Sequence, residues 1–414
     1  MKVSEVFVAG GQPTITYIPR VDAHLQVKLD DYLDTRHKLL AIAGPTKSGK
    51  TVLVRKRLPR NQAIWIAGGE SVSLERFWEL VVDQLGAFTS VSTSSASKDT
   101  ETNASVRDLA IKPVGIGVGA GSTKTRQTES GTTTTETRAY SPSAIGPDLL
   151  RETMLPLVID DFHYIDRLVQ TSIVRALKDP IFEGLPVVCI STSHRGFDAV
   201  RAEPEMVGRV RQLPIPEWTS DELAEIGRTG FSALNVDVVP STLAILREET
   251  FGSPHLMQEF CGAFCRERGI RETSPVRVKL DSVKEPEKFF ARHSDDGAIK
   301  AIERLARGPN ARSDRIDRRT RSGKTVDIYQ AVLMALAKTG PQLETQYEDL
   351  RAALKEVLAD DLPQAHEVTR VIQNMTKIAK EELRGEPPID WDEKTLHITD
   401  PFFAYALRWS PKFQ

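Results

Sequence analysis

Cysteine is scarce in this 414-residue chain: there are three, an odd number. Cys189 stands alone, and Cys261 and Cys265 lie four apart in an apolar helical pattern without metal-ligand spacing, so all three read as small core residues. A disulfide scaffold is excluded, and a reducing, cytoplasmic setting is the expectation. A surplus of one charge is also lacking, because Lys plus Arg is 55, Asp plus Glu is 57 and the formal net charge is -2. The sum gives no whole-chain case for nucleic acid, membrane or acidic partners, which must be sought locally. No run of 18 apolar residues occurs, and Met1-Lys2-Val3-Ser4-Glu5 opens no signal-peptide pattern, so neither a membrane span nor secretion is expected. What remains, at 40% hydrophobic and 27% charged, is an ordinary globular composition with length for two or three domains.

Apolar runs at Lys38 to Ala43, Ala63 to Ala67, Leu155 to Ile159 and Pro186 to Ile190 read as buried strands. Between them, Lys50 to Leu58, Ser73 to Leu85 and Gln170 to Leu177 have helical spacing, and the alternation predicts an α/β fold with a parallel sheet and helices on both faces. Residues 89–141 break the pattern, with 21 Ser or Thr among 53. Either the insertion is disordered, or Val114 to Gly119 and Thr132 to Thr137, both β-prone, form a protruding hairpin that serves assembly. The expected domains are a nucleotide domain over 1–215, a helical lid over 216–302, a connector over 303–324 and a winged-helix-like unit over 325–414. The last reads as three helices (Val326 to Ala337, Leu343 to Leu358, His366 to Leu383), a hairpin from Ile389 to Ile398 and a final helix from Pro401. The connector holds eight basic and three acidic residues, the local surplus that the neutral total conceals.

Gly44-Pro45-Thr46-Lys47-Ser48-Gly49-Lys50-Thr51 matches the phosphate-loop pattern in full, between a predicted strand and a predicted helix. Consecutive backbone N–H groups and a helix N-terminus supply positive partial charge for phosphates, and glycines let the main chain approach them. Lys50 would reach the terminal phosphates of ATP and the Thr51 hydroxyl would bind Mg²⁺. A second Gly-Lys-Thr at Gly323 has Arg318 where the first glycine belongs and is discarded. Leu157-Val158-Ile159-Asp160-Asp161 is an apolar strand ending in two acids, with Asp160 placed for Mg²⁺ and Asp161 for polarising the attacking water. Ser191 or Thr192, at the end of the next strand, would sense the terminal phosphate or the water. Arg209, with Arg211 as the lesser candidate, falls where one subunit could offer a guanidinium to its neighbour's nucleotide. His255, in Gly252-Ser253-Pro254-His255, opens a helix and either reads phosphate state or is a plain helix-start histidine.

These motifs in this order resemble those of AAA+ and STAND-type P-loop ATPases over roughly residues 15 to 270. Ile18-Pro19-Arg20 is placed like the adenine-side box of origin-recognition initiators and transposition regulators, which implies a nucleotide contact for Arg20. The stretch from Leu396 to Trp409 resembles the close of their winged helix. Two departures matter. His255 stands where many AAA+ proteins carry a sensing arginine, and the Ser/Thr-rich insertion has no counterpart in the shared core. The resemblance implies ATP and Mg²⁺ as ligands and ATP hydrolysis at a slow rate, with Asp161 where many relatives carry the longer Glu. It also implies a switch whose nucleotide state governs self-association and engagement of a separate effector protein, as in signalling or antiviral defence. The alternative is a DNA-binding ATPase that regulates transposition, replication or loading through the winged helix. On the His366 to Leu383 helix, Arg370, Gln373, Asn374, Lys377 and Lys380 could face a groove, but Glu367, Glu381 and Glu382 dilute the field.

Overall fold

Four apolar segments and one more polar strand of the computed structural model pair into one parallel sheet, the parallel α/β arrangement that the strand and helix alternation predicts. The structure describes residues 1–86, 90–95, 123–127, 132–137, 141–192, 206, 208–309, 315–340, 342–359, 362–383, 386–392 and 394–410. The sheet strands are β1 (Leu39–Gly44), β2 (Ile64–Ala67), β3 (Leu157–Asp160), β4 (Val187–Thr192) and β5 (Val210–Pro214), in the spatial order β2, β3, β4, β1, β5. Helices α1 (Leu25–Thr35), α2 (Lys50–Arg57), α3 (Leu74–Gln84), α4 (Pro142–Thr153) and α5 (Arg167–Phe182) cover it.

Period-two alternation decides which residues meet which helices. Leu39, Ala41, Ile64, Ile66, Leu157, Ile159, Val187 and Cys189 share one core with Phe77, Trp78 and Val81 of α3 and Ile173, Val174 and Leu177 of α5. Their neighbours Leu40, Ile42, Trp65, Val158, Val188 and Ile190 pack on the other face against Leu25, Leu29 and Tyr32 of α1 and Leu53 and Val54 of α2. Strands buried on both faces read as continuous apolar runs, which is why four of the five are legible. The fifth, β5, pairs among the described residues only with β1 and buries Leu213 within a polar stretch, so its sequence signal is weak. In the insertion, Ser90–Ser95, Thr123–Gln127 and Thr132–Thr137 pair antiparallel with the last in the middle, while Val114 to Gly119 lies outside the described residues.

Contacts divide the chain into two units: Val21–Gly44 with Lys50–Ile215, and Met1–Arg20 with Pro45–Gly49 and Pro216–Gln414. The second has two cores. One gathers α6 (Ser220–Ala233), α7 (Pro240–Glu248) and α8 (Pro254–Glu267) around Phe231, Phe260 and Phe264, and takes in Val3, Val6 and Phe7. The start of the chain is tied there by Val3 N donating to Arg271 O at 2.9 Å and Thr273 N to Met1 O at 2.8 Å. Thr219 caps α6 in a reciprocal box with Glu222, and Ser253 caps α8.

The other core joins α9 (Asp296–Arg307), α10 (Ile328–Lys338), α11 (Tyr347–Val357), α12 (Ala365–Glu381) and α13 (Pro401–Trp409). With them goes an antiparallel sheet of β6 (Glu344–Gln346), β7 (Ile389–Asp392) and β8 (Thr395–Ile398), in which β8 is central. Residues 344–346, expected as helix, instead form β6, with Thr345 buried against Leu396. Cys189, Cys261 and Cys265 are all buried and free, as small core residues should be.

Candidate functional site

The apolar β1 runs straight into the phosphate loop. Lys47 and Gly49 take positive φ, 58° and 91°, and α2 starts at Lys50. Nothing lies within 4 Å of a Cβ added at Gly49, so its φ and not crowding demands glycine there. Lys50 is 8% exposed and folds back, its Nζ donating to Gly44 O at 3.0 Å. One residue on, Thr51 Oγ1 donates to Asp160 Oδ1 at 3.0 Å. A hydroxyl and a carboxylate that already converge are hard oxygen donors of the kind Mg²⁺ prefers, so these two residues fit that ion.

Burial raises the Asp160 carboxyl above its ordinary range, against the Thr51 hydrogen bond and the charges of Arg55 and Lys50. Asp161 is raised as well, by burial and then by the charge of Asp160, with Lys50 opposing. Its backbone is left-handed at φ 55°, where it starts the short turn Phe162–Tyr164. Gly68, at the end of β2, explains how that turn is accommodated: a Cβ there would stand 2.1 Å from the Asp161 carbonyl oxygen. The role of Gly68 behind Asp161 leaves no spacing signal in the sequence.

Sheet register completes this part. β4 lies between β1 and β3, with Thr192 paired to Gly44 and Ser191 to Ala43, so both residues end their strand level with the start of the loop. Thr192 Oγ1 is buried with no hydrogen-bond partner among the described residues, which leaves an acceptor and a donor for a ligand or water. His194 and Arg195, which follow, lie outside the described residues. The sheet unit thus brings together Lys50, Thr51, Asp160, Asp161, Ser191 and Thr192. Arg209 is exposed ahead of β5, and Arg211 within β5 stands 4.0 Å from Asp31.

Loop residues Thr46, Lys47 and Ser48 belong to the other unit, together with Arg20 and His255. Arg20 is buried, and its guanidinium donates to Glu222 Oε1 at 3.0 Å, Pro216 O at 3.0 Å and Glu217 O at 2.5 Å while lying over Trp218. Trp218 in turn donates from Nε1 to Ser48 O at 2.9 Å. The side chain expected at the adenine is therefore committed here to bracing the start of α6 and the tryptophan that touches the loop. Burial alone would raise Glu222, but the bonds from Arg20 and Thr219 hold its carboxyl below the ordinary range. Replacing Arg20 with alanine leaves Glu222 and two carbonyls without their donor, and should cost about 2–4 kcal/mol in urea unfolding. A loss under about 0.5 kcal/mol would contradict the bracing role.

His255 packs edge-on against Phe402, with ring centroids 4.9 Å apart, and its Cε1 lies 3.2 Å from a Cβ position on Gly10. Burial, then the charge of Lys47, keep its imidazole below the usual pKa and so neutral at pH 7, despite Glu259, Asp400 and Asp295. Lys47 Nζ sits 3.0 Å from Asp400 Oδ1 and 3.6 Å from the Phe402 ring centre, and Thr46 Oγ1 donates to Glu386 Oε2. Trp218, Glu386, Asp400 and Phe402 escape sequence reading because their link to the loop is long-range.

No protein-family model matches the chain, and no curated protein matches it. Among solved structures, a Walker-type ATPase of Pyrococcus abyssi is similar with a TM-score of 0.53 at 15% identity, over 97% of this chain and 99% of that one. The ORC2 protein of Aeropyrum pernix gives 0.48 at 14% identity over 98% and 95%, and Cdc6p of Pyrobaculum aerophilum 0.43 at 13% over 99% and 97%. The fold is shared with that Walker-type ATPase, an α/β fold with a parallel sheet, as the alternation of strands and helices leads one to expect.

Proposed function

We propose that this chain binds and hydrolyses ATP with Mg²⁺, and that its nucleotide state controls self-association and engagement of a separate partner protein. The observation that carries the reading is the convergence of Thr51 on Asp160 directly after a buried Lys50. In it, Lys50 and the loop N–H groups hold the phosphates in place, and Thr51 and Asp160 would hold Mg²⁺, which when bound would neutralise charge on the transferred phosphoryl group. Asp161 accepts a hydrogen bond from the attacking water and takes its proton. Thr192 offers its unpartnered hydroxyl to the terminal phosphate or to that water, with Ser191 beside it. Arg209, exposed at the entry to β5, is the residue a neighbouring subunit would meet.

The helix, strand, helix, helix, strand, strand order of residues 328–398 supports a winged helix, which we read as a protein-contact module in a STAND-like switch for signalling or defence. Two of its cations are paired, Lys380 with Asp390 at 2.7 Å and Lys377 with Glu381 at 3.9 Å, and its Glu382 takes Arg304 of α9 at 2.6 Å. A second reading, DNA binding, draws on the exposed Arg319, Arg321 and Lys324 around the short Arg318–Arg319 and Thr325–Val326 ladder. Mass photometry of the full chain should show larger assemblies with a non-hydrolysable ATP analogue than with ADP. Identical monomer signals in both would count against the switch, and a mass shift with duplex DNA at low salt would favour the second reading. No helix among the described residues is long and apolar enough to cross a membrane.

A further inference from the structure

Two side-chain donors of the phosphate loop are taken by carboxylates from the last thirty or so residues of the chain. Glu386 accepts from Thr46, and Asp400 pairs with Lys47 at 3.0 Å. Asp400 also accepts from Phe402 N at 3.0 Å as the cap of α13, so the start of that helix fixes its position. Phe402 closes the cluster, its ring under the Lys47 ammonium and against His255. A loop suited to anions is thus held by two anions that belong to the protein.

We infer that Glu386 and Asp400 set the loop's choice between nucleotides: while both acids hold Thr46 and Lys47, the site accepts a diphosphate and disfavours a triphosphate. The inference rests on the nucleotide reading above. Its physical basis is charge. A third phosphate adds negative charge to a loop already flanked by two fixed carboxylates, and Lys47, the loop cation beyond Lys50, is committed to Asp400. Releasing the acids removes the repulsion and returns Lys47 to the phosphates, so the two effects act in the same direction.

The test is calorimetric titration of the full-length chain with ADP and with AMP-PNP, each with Mg²⁺. It compares the unaltered protein, Glu386→Gln, Asp400→Asn, their combination and Lys50→Ala. Asn caps a helix as well as Asp does, and Gln keeps the length and an acceptor for Thr46, so charge is removed with little change of shape. The combined variant should bind AMP-PNP on the order of tenfold more tightly relative to ADP, with each single variant part of the way. Measuring the single variants keeps one readable if the other fails to fold. An unchanged ratio of the two affinities, with binding intact and still lost in Lys50→Ala, overturns the inference and leaves the nucleotide reading in place. Failure of every chain to bind either nucleotide overturns both.

Discussion

Substituting alanine for Lys50 should weaken the binding of both ADP and a non-hydrolysable ATP analogue by at least about thirtyfold, the order expected when a desolvated cation is removed from an anion site. The side chain is 8% exposed and already directed along the loop, bonded to the Gly44 carbonyl. The preorganisation that lets it meet a phosphate at little entropic cost is therefore present before any ligand arrives. Lys50 also opposes the raised carboxyl pKa of Asp160 and of Asp161, so its loss leaves the two acids less readily ionised. Isothermal titration is the measurement. A change of less than about threefold would remove Lys50 from the phosphate site and with it the central element of the ATPase reading.

Asp161→Asn should separate stability from turnover. Phosphate release is expected to fall by about 100-fold or more, the usual contribution of a positioned base, while nucleotide binding persists. Without nucleotide the same variant should melt at a higher temperature, by about 2 °C or more. The sign follows from Asp161's raised carboxyl pKa, which comes from burial and from Asp160. The folded state favours the protonated acid, so stability is greatest below the unfolded value near 3.8 and is lost as pH rises through the folded pKa. At neutral pH the ionised group costs stability, and a neutral amide relieves that cost. Asn also accepts the left-handed backbone that this position requires, φ 55°. Unchanged phosphate release would sink the role assigned to Asp161, and a lower melting temperature would contradict the burial account.

The legible parts of this protein are those in which neighbouring residues meet in space. The loop from Gly44 to Thr51 announces itself because one turn and one helix start hold nearly all of it. The acids at Asp160 and Asp161 follow an apolar strand that could only be buried. Four strands read as apolar runs. What stayed hidden depends on contacts between distant residues. β5 is an edge strand with one strongly buried side chain, and nothing near Arg20 in the sequence marks Glu222 and Trp218 as its partners. Gly68 and Asp161, or Lys47 and Asp400, are brought together by the fold alone, and no periodicity encodes a pair more than ninety or three hundred and fifty residues apart.

The ties between Met1 and Thr273 and between Val3 and Arg271 have a consequence for how the protein is made. Residues 1–20 complete a core whose other members, Phe260 and Phe264 among them, come about 250 residues later in the chain, and closing so long a loop is slow. At ribosomal rates of about 5–20 residues per second, the first segment waits roughly 13–50 s before its partners exist. During that time Val3, Val6 and Phe7 have no native surface to cover them, while the sheet unit, apart from the loop at 45–49, can form from residues already synthesised. The N-terminal segment is thus the stretch of the nascent chain that most needs a chaperone's shelter.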